Sequence, residues 1–221
     1  MSEENCTRRG CKDVFHAFLV QNAEFDGKLE IPCIAPEKFV PHKLIPFSKA
    51  LSGEKKDCWV HFYEDDVKFE RIWNRPGTYL AMLKRYQGVI SPDFSLYRDM
   101  PLVMQQWNTY RGRAIGHWLQ ENGIPVIPNI RFGDERTFEF CCAGVEKGST
   151  IAIGSHSCMK LLKEREYFKQ GLDFVMDRLK PGTVIVYGSA PDEIFSPYKQ
   201  QGIEILQFDS ETALAHKAVS A

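Results

Sequence analysis

Acidic, basic and hydroxyl side chains recur directly after short apolar segments of this chain. Asp93 follows one such segment, and Asn129 and Arg131 lie at the end of the next. Ser155 and His156 follow a third segment. An imidazole near neutral pH can act as an acid, a base or a metal ligand, and a guanidinium matches the oxygens of phosphate two at a time. These residue types indicate a catalytic or small-ligand site for an anionic molecule.

Each candidate residue has an expected role. We expect His156 to act as acid or base and Arg131 to hold the anion, while Asp93 and Asp134 orient the imidazole or hold a divalent ion. Asn129 should share one side of its strand with Arg131, because one residue separates them. Either aspartate could instead pair with Arg131, which would make that arginine structural. Polar residues in such loops also cap the helix that follows.

A predicted helix over 101–122 carries two more candidate ligand-binding residues, Asn108 and Arg111. Both lie beside its apolar stripe, where a half-buried arginine needs a counter-charge. Solvated helix surface is the alternative interpretation. Asp99 is expected to cap the start of this helix, and Gly123 is expected to end it.

Several familiar motifs are absent from the sequence. There is no GxxxxGK[ST], no GxSxG and no HExxH, so a P-loop, a nucleophile elbow and a zincin are not indicated. The sequence indicates no particular cofactor, and we predict no metal site. A metal site could be assembled across loops, but no spacing requires it, from His61, Glu64, Asp93, Asp134 and His156.

The polar loops need a scaffold that brings them together. Short apolar segments alternate with longer amphipathic ones, which predicts an α/β fold with flanking helices around a mostly parallel sheet of six or seven strands. A small or incomplete (β/α) barrel and an open doubly wound sheet both fit, and both place ligands at the carboxyl ends of the strands. Strands are predicted over 59–63, 88–91, 126–130, 150–154, 183–187 and 203–208, with one more possible over 29–34. Further helices are predicted over 66–75, 78–86, 137–144, 160–179 and 193–201, and from residue 211.

The first part of the chain is less regular than the rest. Pro32, Pro36, Pro41 and Pro46 interrupt any long element there. We therefore expect residues 1–57 to form an irregular N-terminal extension packed on a core domain of residues 58–221.

Composition excludes some classes of protein. The 221 residues include 28 basic and 29 acidic side chains, a net charge of -1, so nucleic acid is a less expected partner than a small molecule. No apolar segment reaches the length of a signal peptide or a membrane span, which predicts a soluble, cytoplasmic protein without a membrane partner. Seven cysteines without a CxxC motif predict reduced thiols. Composition does not indicate an oligomeric state.

Four segments of the chain combine these polar residues with aromatic and small ones: YRDMP at 97–101, WNTYRGRAIG at 107–116, VIPNIRFGDE at 126–135 and IGSH at 153–156. Together they resemble the bacterial, phage and mobile-element proteins grouped as domain of unknown function 4417 (DUF4417). The resemblance covers roughly residues 58–209. It implies an origin in phages, plasmids or integrative elements, and it implies no activity.

Three hypotheses for function follow. The first is an enzyme acting on a nucleotide or another phosphorylated small molecule. The second is a non-catalytic phage or mobile-element binding protein, such as a sponge or inhibitor of a host signal or defence protein. The third is an accessory factor in DNA replication or transfer, which requires a basic surface stripe formed by Lys55, Lys56, Arg71, Arg75, Lys84 and Arg85.

Overall fold

The structure is a computed structural model that describes residues 7–8, 11–53, 57–156, 158–159 and 161–219. Short antiparallel pairs form its N-terminal part. Strand β1 (Thr7–Arg8) pairs with β2 (Cys11–Lys12), and β3 (Phe25–Asp26) pairs with β4 (Ile31–Pro32). A 3₁₀ helix over Ala17–Val20 connects the two pairs. The strand predicted over 29–34 is thus reduced to β4.

Parallel strands make up the rest of the sheet structure. Strands β5 to β8 form one sheet and β9 to β11 form another, in chain order within each, and every ladder is parallel. All six strands predicted over 59–208 are present, and β5 is an additional strand within residues 1–57. The strands are β5 (Leu44–Pro46), β6 (Trp59–His61), β7 (Gly88–Ile90), β8 (Val126–Ile127), β9 (Ile151–Gly154), β10 (Thr183–Tyr187) and β11 (Glu204–Phe208).

The ladders form sheets of four and three strands, whereas the sequence predicted one sheet of six or seven. Between the sheets lies a single parallel bridge, Asn129 to Ala152. Ala152 donates its N–H to the Pro128 carbonyl (2.9 Å) and accepts one from Ile130 (2.8 Å). Pro128 has no N–H to donate, so the ladder does not extend from β8. Among the described residues no ladder closes a barrel, and neither sheet has the reversal of strand order that a doubly wound sheet requires.

Helices flank these sheets close to the predicted positions, except for the first, a four-residue helix that was not predicted. They are α1 (Phe47–Ala50), α2 (Asp66–Asn74), α3 (Pro76–Leu83), α4 (Leu102–Glu121), α5 (Leu162–Leu179), α6 (Asp192–Gln200) and α7 (Glu211–Val219).

Two local predictions about helices are wrong. Residues 137–144 form turns after a 3₁₀ helix over Glu135–Thr137, since the Gly144 N–H, which a helix would direct to the Phe140 carbonyl, donates to the Asp26 carboxylate at 3.0 Å. The start of α4 has no side-chain cap: Pro101 occupies the N-cap position, which places Asp99 too early in the chain. The end of α4 is as predicted, since Gly123 adopts a left-handed φ of 78°.

Two groups of buried apolar side chains pack the helices on the sheets. The first packs four helices, α1, α2, α3 and α4, on the four-stranded sheet, and it includes Phe62, Phe69 and Trp118. The second joins α5 and α6 to the three-stranded sheet and includes Leu172 and Val186. The first group also contains residues before 58, so the N-terminal part of the chain contributes to this core: Leu19, Ile34, Phe47 and Ala50.

A third buried group lies on the opposite face of the strands. Ile185 belongs to it, while its neighbours Val184 and Val186 belong to the second group, as the alternation of side chains along a strand requires. Its buried members come from strands of both sheets, so the two sheets share one core on this face. We call it the shared core: Trp59, Ile90, Ile127, Ala152 and Ile185.

Candidate functional site

A cavity of about 450 Å³ lies at the carboxyl ends of the parallel strands. Every strand from β5 to β11 contributes to its wall, either by its last residue or by the loop that follows. The parallel direction of all the strands is what brings these loops to one edge. The wall of this cavity includes Ser48, Lys49, Tyr63, Asp93, Arg131, Gly154, His156, Tyr187 and Glu211.

Asp93 and Arg131 form an ion pair in this wall. The Arg131 Nη1 lies 3.1 Å from Asp93 Oδ2, and the Asn129 Nδ2 donates to Asp93 Oδ1 at 2.7 Å. The Tyr63 hydroxyl in turn donates to Asn129 Oδ1 at 2.9 Å. Four polar side chains thus form one continuous network, in which the carboxylate accepts from two different donors.

Asn129 is held on its backbone as well as on its side chain. Its N–H donates to Ser91 Oγ at 2.9 Å, and its carbonyl accepts from Arg113 Nη1 at 2.7 Å. Both partners are buried. Because hydrogen bonds fix the backbone N–H, the backbone carbonyl and the side-chain oxygen of Asn129, its amide nitrogen is a rigid donor to Asp93.

Burial dominates the ionisation of this network. It raises the pKa of Asp93 to about 6, although Arg131 and the Asn129 amide favour the charged carboxylate. The Asp93 carboxylate raises the pKa of Arg131, so the guanidinium remains a cation. Burial also raises the pKa of Tyr63 well above its usual value. The site therefore contains a carboxyl group that can exchange a proton near neutral pH.

His156 and Ser155 follow β9 but face different surroundings. His156 is exposed and lines the cavity. Ser155 is fully buried, and its hydroxyl donates to the Ser189 carbonyl at 2.6 Å. This bond connects the loops that follow β9 and β10. The structure therefore brings His156 to the same cavity as Asp93 and Arg131, and it places Ser155 behind the wall.

Asp134 lies outside the cavity. It occupies the N-cap position of the 3₁₀ helix over Glu135–Thr137, where it accepts the Arg136 N–H. It also forms an ion pair with the Arg136 side chain at 2.9 Å, which lowers the pKa of Asp134. Asp134 therefore caps a helix, which is the alternative role that the sequence analysis gave for polar residues in these loops.

Asn108 and Arg111 support the loop that carries Asp93. The Asn108 Nδ2 donates to the Ser95 carbonyl at 2.7 Å. Arg111 pairs with Glu70 at 2.5 Å, and its guanidinium lies 4.0 Å from the centre of the Phe94 ring. The counter-charge expected for Arg111 is thus a carboxylate of α2. Neither residue lines the cavity that contains Asp93.

Sequence reasoning missed the tyrosines of the site. The rings of Tyr63 and Tyr187 stack, with centroids 4.8 Å apart and an interplanar angle of 11°. His61 contacts both rings, and burial lowers its pKa to about 3. A tyrosine at the carboxyl end of an apolar strand was the available signal. Lys49 and Glu211 were also missed; they form an ion pair between α1 and α7.

The remaining sequence candidates are dispersed. Within the described part of the chain, no three His, Cys, Asp or Glu side chains are grouped closely enough to hold a metal ion. Lys55 and Lys56 of the predicted basic stripe lie outside the described residues, whereas its other four members are exposed. Among the described residues, the free thiols include Cys33, Cys141, Cys142 and Cys158.

Comparison with known proteins assigns a family. Residues 23–209 match a family described as "Domain of unknown function (DUF4417)". The chain belongs to the DUF4417 family. The match begins well before residue 58, where the resemblance in the sequence began, so the DUF4417 region includes β3, β4 and β5.

Two relatives of this DUF4417 chain come from mycobacteriophages. The "Gene 1 protein" of Mycobacterium phage L5 is 35% identical over 185 residues, which cover 82% of this chain and 80% of the relative. The "Gene 1 protein" of Mycobacterium phage D29 is 34% identical over 166 residues, which cover 72% of this chain and 60% of the relative. No solved structure matches the chain.

None of the helices in the described residues combines the length and the apolar character needed to cross a bilayer.

Proposed function

We propose that this DUF4417 protein is an enzyme that binds a phosphorylated small molecule of nucleotide size at the carboxyl ends of its strands. Arg131 binds the anion, and Asp93 and His156 transfer protons. The observation that carries the proposal is the ion pair of Arg131 with the buried Asp93 in the cavity wall, whose carboxyl group has a pKa of about 6. A cavity of about 450 Å³ lies within the range of small-ligand sites.

Arg131 has donors to spare for a ligand. Among the described residues, Asp93 is its only hydrogen-bond partner, and that bond uses one of the five N–H groups of a guanidinium. The Arg131 side chain is 28% exposed, and it lines the cavity. Phosphate oxygens fit the planar array of the remaining donors.

Binding of an anion would change the ionisation of Asp93. A phosphate at Arg131 adds negative charge beside the carboxylate, and like charges raise a carboxyl pKa. From a value of about 6, a further rise leaves Asp93 protonated at neutral pH. The protonated carboxyl can then donate its proton to the ligand as a general acid, while His156, which lines the same cavity, accepts one.

We infer that the two sheets enclose this cavity as one incomplete (β/α) barrel. Strand order follows the chain in both sheets, the bridge from Asn129 to Ala152 connects them, and the shared core draws on both. The Tyr63–Tyr187 stack and the Lys49–Glu211 ion pair span the side that no ladder closes. In such barrels, active sites lie at the carboxyl ends of the strands.

Calorimetric titration with sulfate, phosphate and nucleotides tests the binding step. We expect Arg131→Gln to lower the affinity for each anion at least tenfold, because it removes the cation from the wall. Arg136→Gln is the matched control, since Arg136 pairs with Asp134 outside the cavity. Equal anion affinity in wild type and Arg131→Gln would contradict the proposal.

Turnover distinguishes the enzyme from the second candidate, a binding protein that sequesters the same ligand. Nucleotides and sugar phosphates are incubated with the protein and followed by phosphorus NMR. The enzyme converts one of them, and Asp93→Asn binds that compound without converting it. If the ligand binds through Arg131 and is returned unchanged, the protein is a phage binding protein. The phage origin of both relatives favours that role.

A further inference from the structure

A second cavity, of about 570 Å³, adjoins the first at the same edge. Both cavities are lined by Tyr97, Arg131 and Gly154, so Arg131 lies where they meet. Gly154 has no side chain at this junction, where an added Cβ would lie 3.0 Å from the Tyr63 ring and 4.0 Å from Arg131 Nη1. A ligand that contacts Arg131 can therefore extend into both cavities.

The second cavity has an aromatic wall. The rings of Tyr97, Phe132, Tyr167 and Phe168 line it. The Arg98 guanidinium lies over the Tyr167 ring, 4.2 Å from its centre. Aromatic faces and guanidinium planes are the surfaces on which nucleobases stack. We call this second cavity the aromatic cavity.

Two opposite charges of the aromatic cavity, Arg98 and Glu164, are paired with each other. Arg98 donates through both terminal nitrogens to the two oxygens of Glu164, at 2.7 and 2.5 Å. This bidentate pair leaves Arg98 without the unbalanced charge that would attract a phosphate of its own. Hence the aromatic cavity fits a planar, weakly charged ring better than a second anion.

The first cavity offers the complementary surface. Its wall carries hydroxyls and charged groups, among them Ser48, Ser95 and Lys49. Such groups hydrogen-bond a sugar or another polar group. The two cavities thus differ in chemistry and share one cation.

We propose that the ligand is a nucleotide whose phosphate or diphosphate joins its nucleoside to a second, polar group. The base lies in the aromatic cavity, the phosphate contacts Arg131, and the second group lies beside Asp93 and His156. This assignment rests on the proposed function, because it takes Arg131 as the anion ligand. It names the class of molecule that such a site would accept.

Titration with inorganic phosphate, AMP and ADP-ribose tests the two-part ligand. The affinity is expected to rise in that order, because each probe fills more of the two cavities. Tyr167→Ala should lower the affinity for ADP-ribose roughly tenfold through loss of stacking and leave phosphate binding unchanged. Tyr167→Phe, which keeps the ring, should bind like wild type. Phe39→Ala removes a ring that is 74% exposed outside both cavities and is the control.

The outcomes separate this inference from the proposed function. If Tyr167→Ala and wild type bind ADP-ribose equally well, the two-part ligand is wrong. The same holds if ADP-ribose binds no more tightly than phosphate while Arg131→Gln abolishes phosphate binding, and the proposed function then stands. If Arg131→Gln binds phosphate like wild type, the proposed function fails and the inference fails with it. Tyr167→Phe serves as the folded reference should Tyr167→Ala not fold.

Discussion

Asn129 determines the direction of the Asp93 carboxyl group. Its amide bridges the Tyr63 hydroxyl and Asp93, and its backbone is fixed by Ser91 and Arg113. A buried carboxyl held in this way cannot turn towards solvent to stabilise its charge. Its raised pKa therefore follows from burial, which outweighs the opposite effects of Arg131 and Asn129, and it can be measured through stability as well as through binding.

Asp93→Asn tests that raised pKa. The pKa of Asp93 in the folded protein, about 6, lies above the ordinary value of 3.8. The folded protein therefore binds the carboxyl proton more tightly than the unfolded chain does, and its stability falls as the pH rises from about 4 to above 6. The amide of the variant cannot ionise. Its free energy of unfolding relative to that of wild type should therefore rise by about 2 kcal/mol between pH 4.5 and pH 7.5. Urea unfolding at both pH values measures the difference.

Asp134→Asn is the control with the opposite sign. Arg136 lowers the pKa of Asp134, so this carboxylate stabilises the fold above its unfolded pKa and loses that effect as pH falls. The Asp134→Asn variant should therefore lose stability relative to wild type as pH rises. A parallel response of both variants would show that Asp93 does not have a raised pKa.

The affinity for sulfate should depend on the protonation of Asp93. Above pH 6 the Asp93 carboxylate repels an anion bound at Arg131, so binding is coupled to the uptake of a proton by Asp93 and the affinity should fall severalfold between pH 6 and pH 7.5. Sulfate keeps its charge over this range, whereas phosphate does not. Calorimetry in two buffers of different ionisation enthalpy measures the proton uptake. Asp93→Asn should remove it; persistence of the uptake in that variant would assign it to another group.

At the scale of the element, α4 is attached to the loops of the site by one buried cation. Arg113 is 3% exposed and donates to the carbonyls of Asn129, Cys141 and Ala143 at 2.7, 2.9 and 3.0 Å. Burial lowers its pKa to about 10, so it remains charged at neutral pH. Three carbonyls from two loops thus replace the carboxylate partner that a buried arginine usually has.

Arg113→Gln tests this attachment. Loss of the charged donor leaves carbonyls of two loops without partners, and the free energy of unfolding should fall by about 3 kcal/mol. Arg71→Gln is the matched control, because Arg71 is exposed and its Nε donates to the Lys68 carbonyl within α2. Chemical denaturation of the three proteins measures both effects. If Arg113→Gln is as stable as Arg71→Gln, the guanidinium does not hold α4 to these loops.

At the scale of the molecule, the shared core joins the two sheets. Trp59 and Ile90 come from the four-stranded sheet, and Ala152 and Ile185 come from the three-stranded one. Their burial against one another should make the two sheets unfold together. The positions of the tryptophans allow a direct measurement, since all four precede residue 119 and report on the four-stranded half: Trp59, Trp73, Trp107 and Trp118.

Ile185→Ala should therefore shift the tryptophan fluorescence transition although it lies in the other sheet. We expect a single transition. The free energy of unfolding should fall by about 2 to 5 kcal/mol, the usual range for truncating a buried isoleucine to alanine. Leu162→Ala, at a residue of α5 that is 83% exposed, is the control and should leave the transition in place. An unshifted fluorescence transition in Ile185→Ala would show that the sheets are separate units.

Local pattern was sufficient for most elements. The strands predicted over 59–208 and the end of α4 at Gly123 depend on apolar spacing and backbone preference, both of which are visible in a short window of sequence. Strand β5 was missed because it has three residues and ends in Pro46. Turns replace the helix expected over 137–144, where the Gly144 N–H donates to Asp26, a residue distant in sequence, instead of to a carbonyl within the helix.

The sequence by itself determined which residues reach the carboxyl ends of the strands, because a loop must follow the strand that precedes it. Only the tertiary structure decided how their charges pair: Asp93 with Arg131, Asp134 with Arg136, and Arg111 with Glu70. Electrostatic partners depend on distance and burial, which arise when residues far apart in sequence are packed together. For the same reason, the single cavity to which every parallel strand contributes is a property of the folded chain.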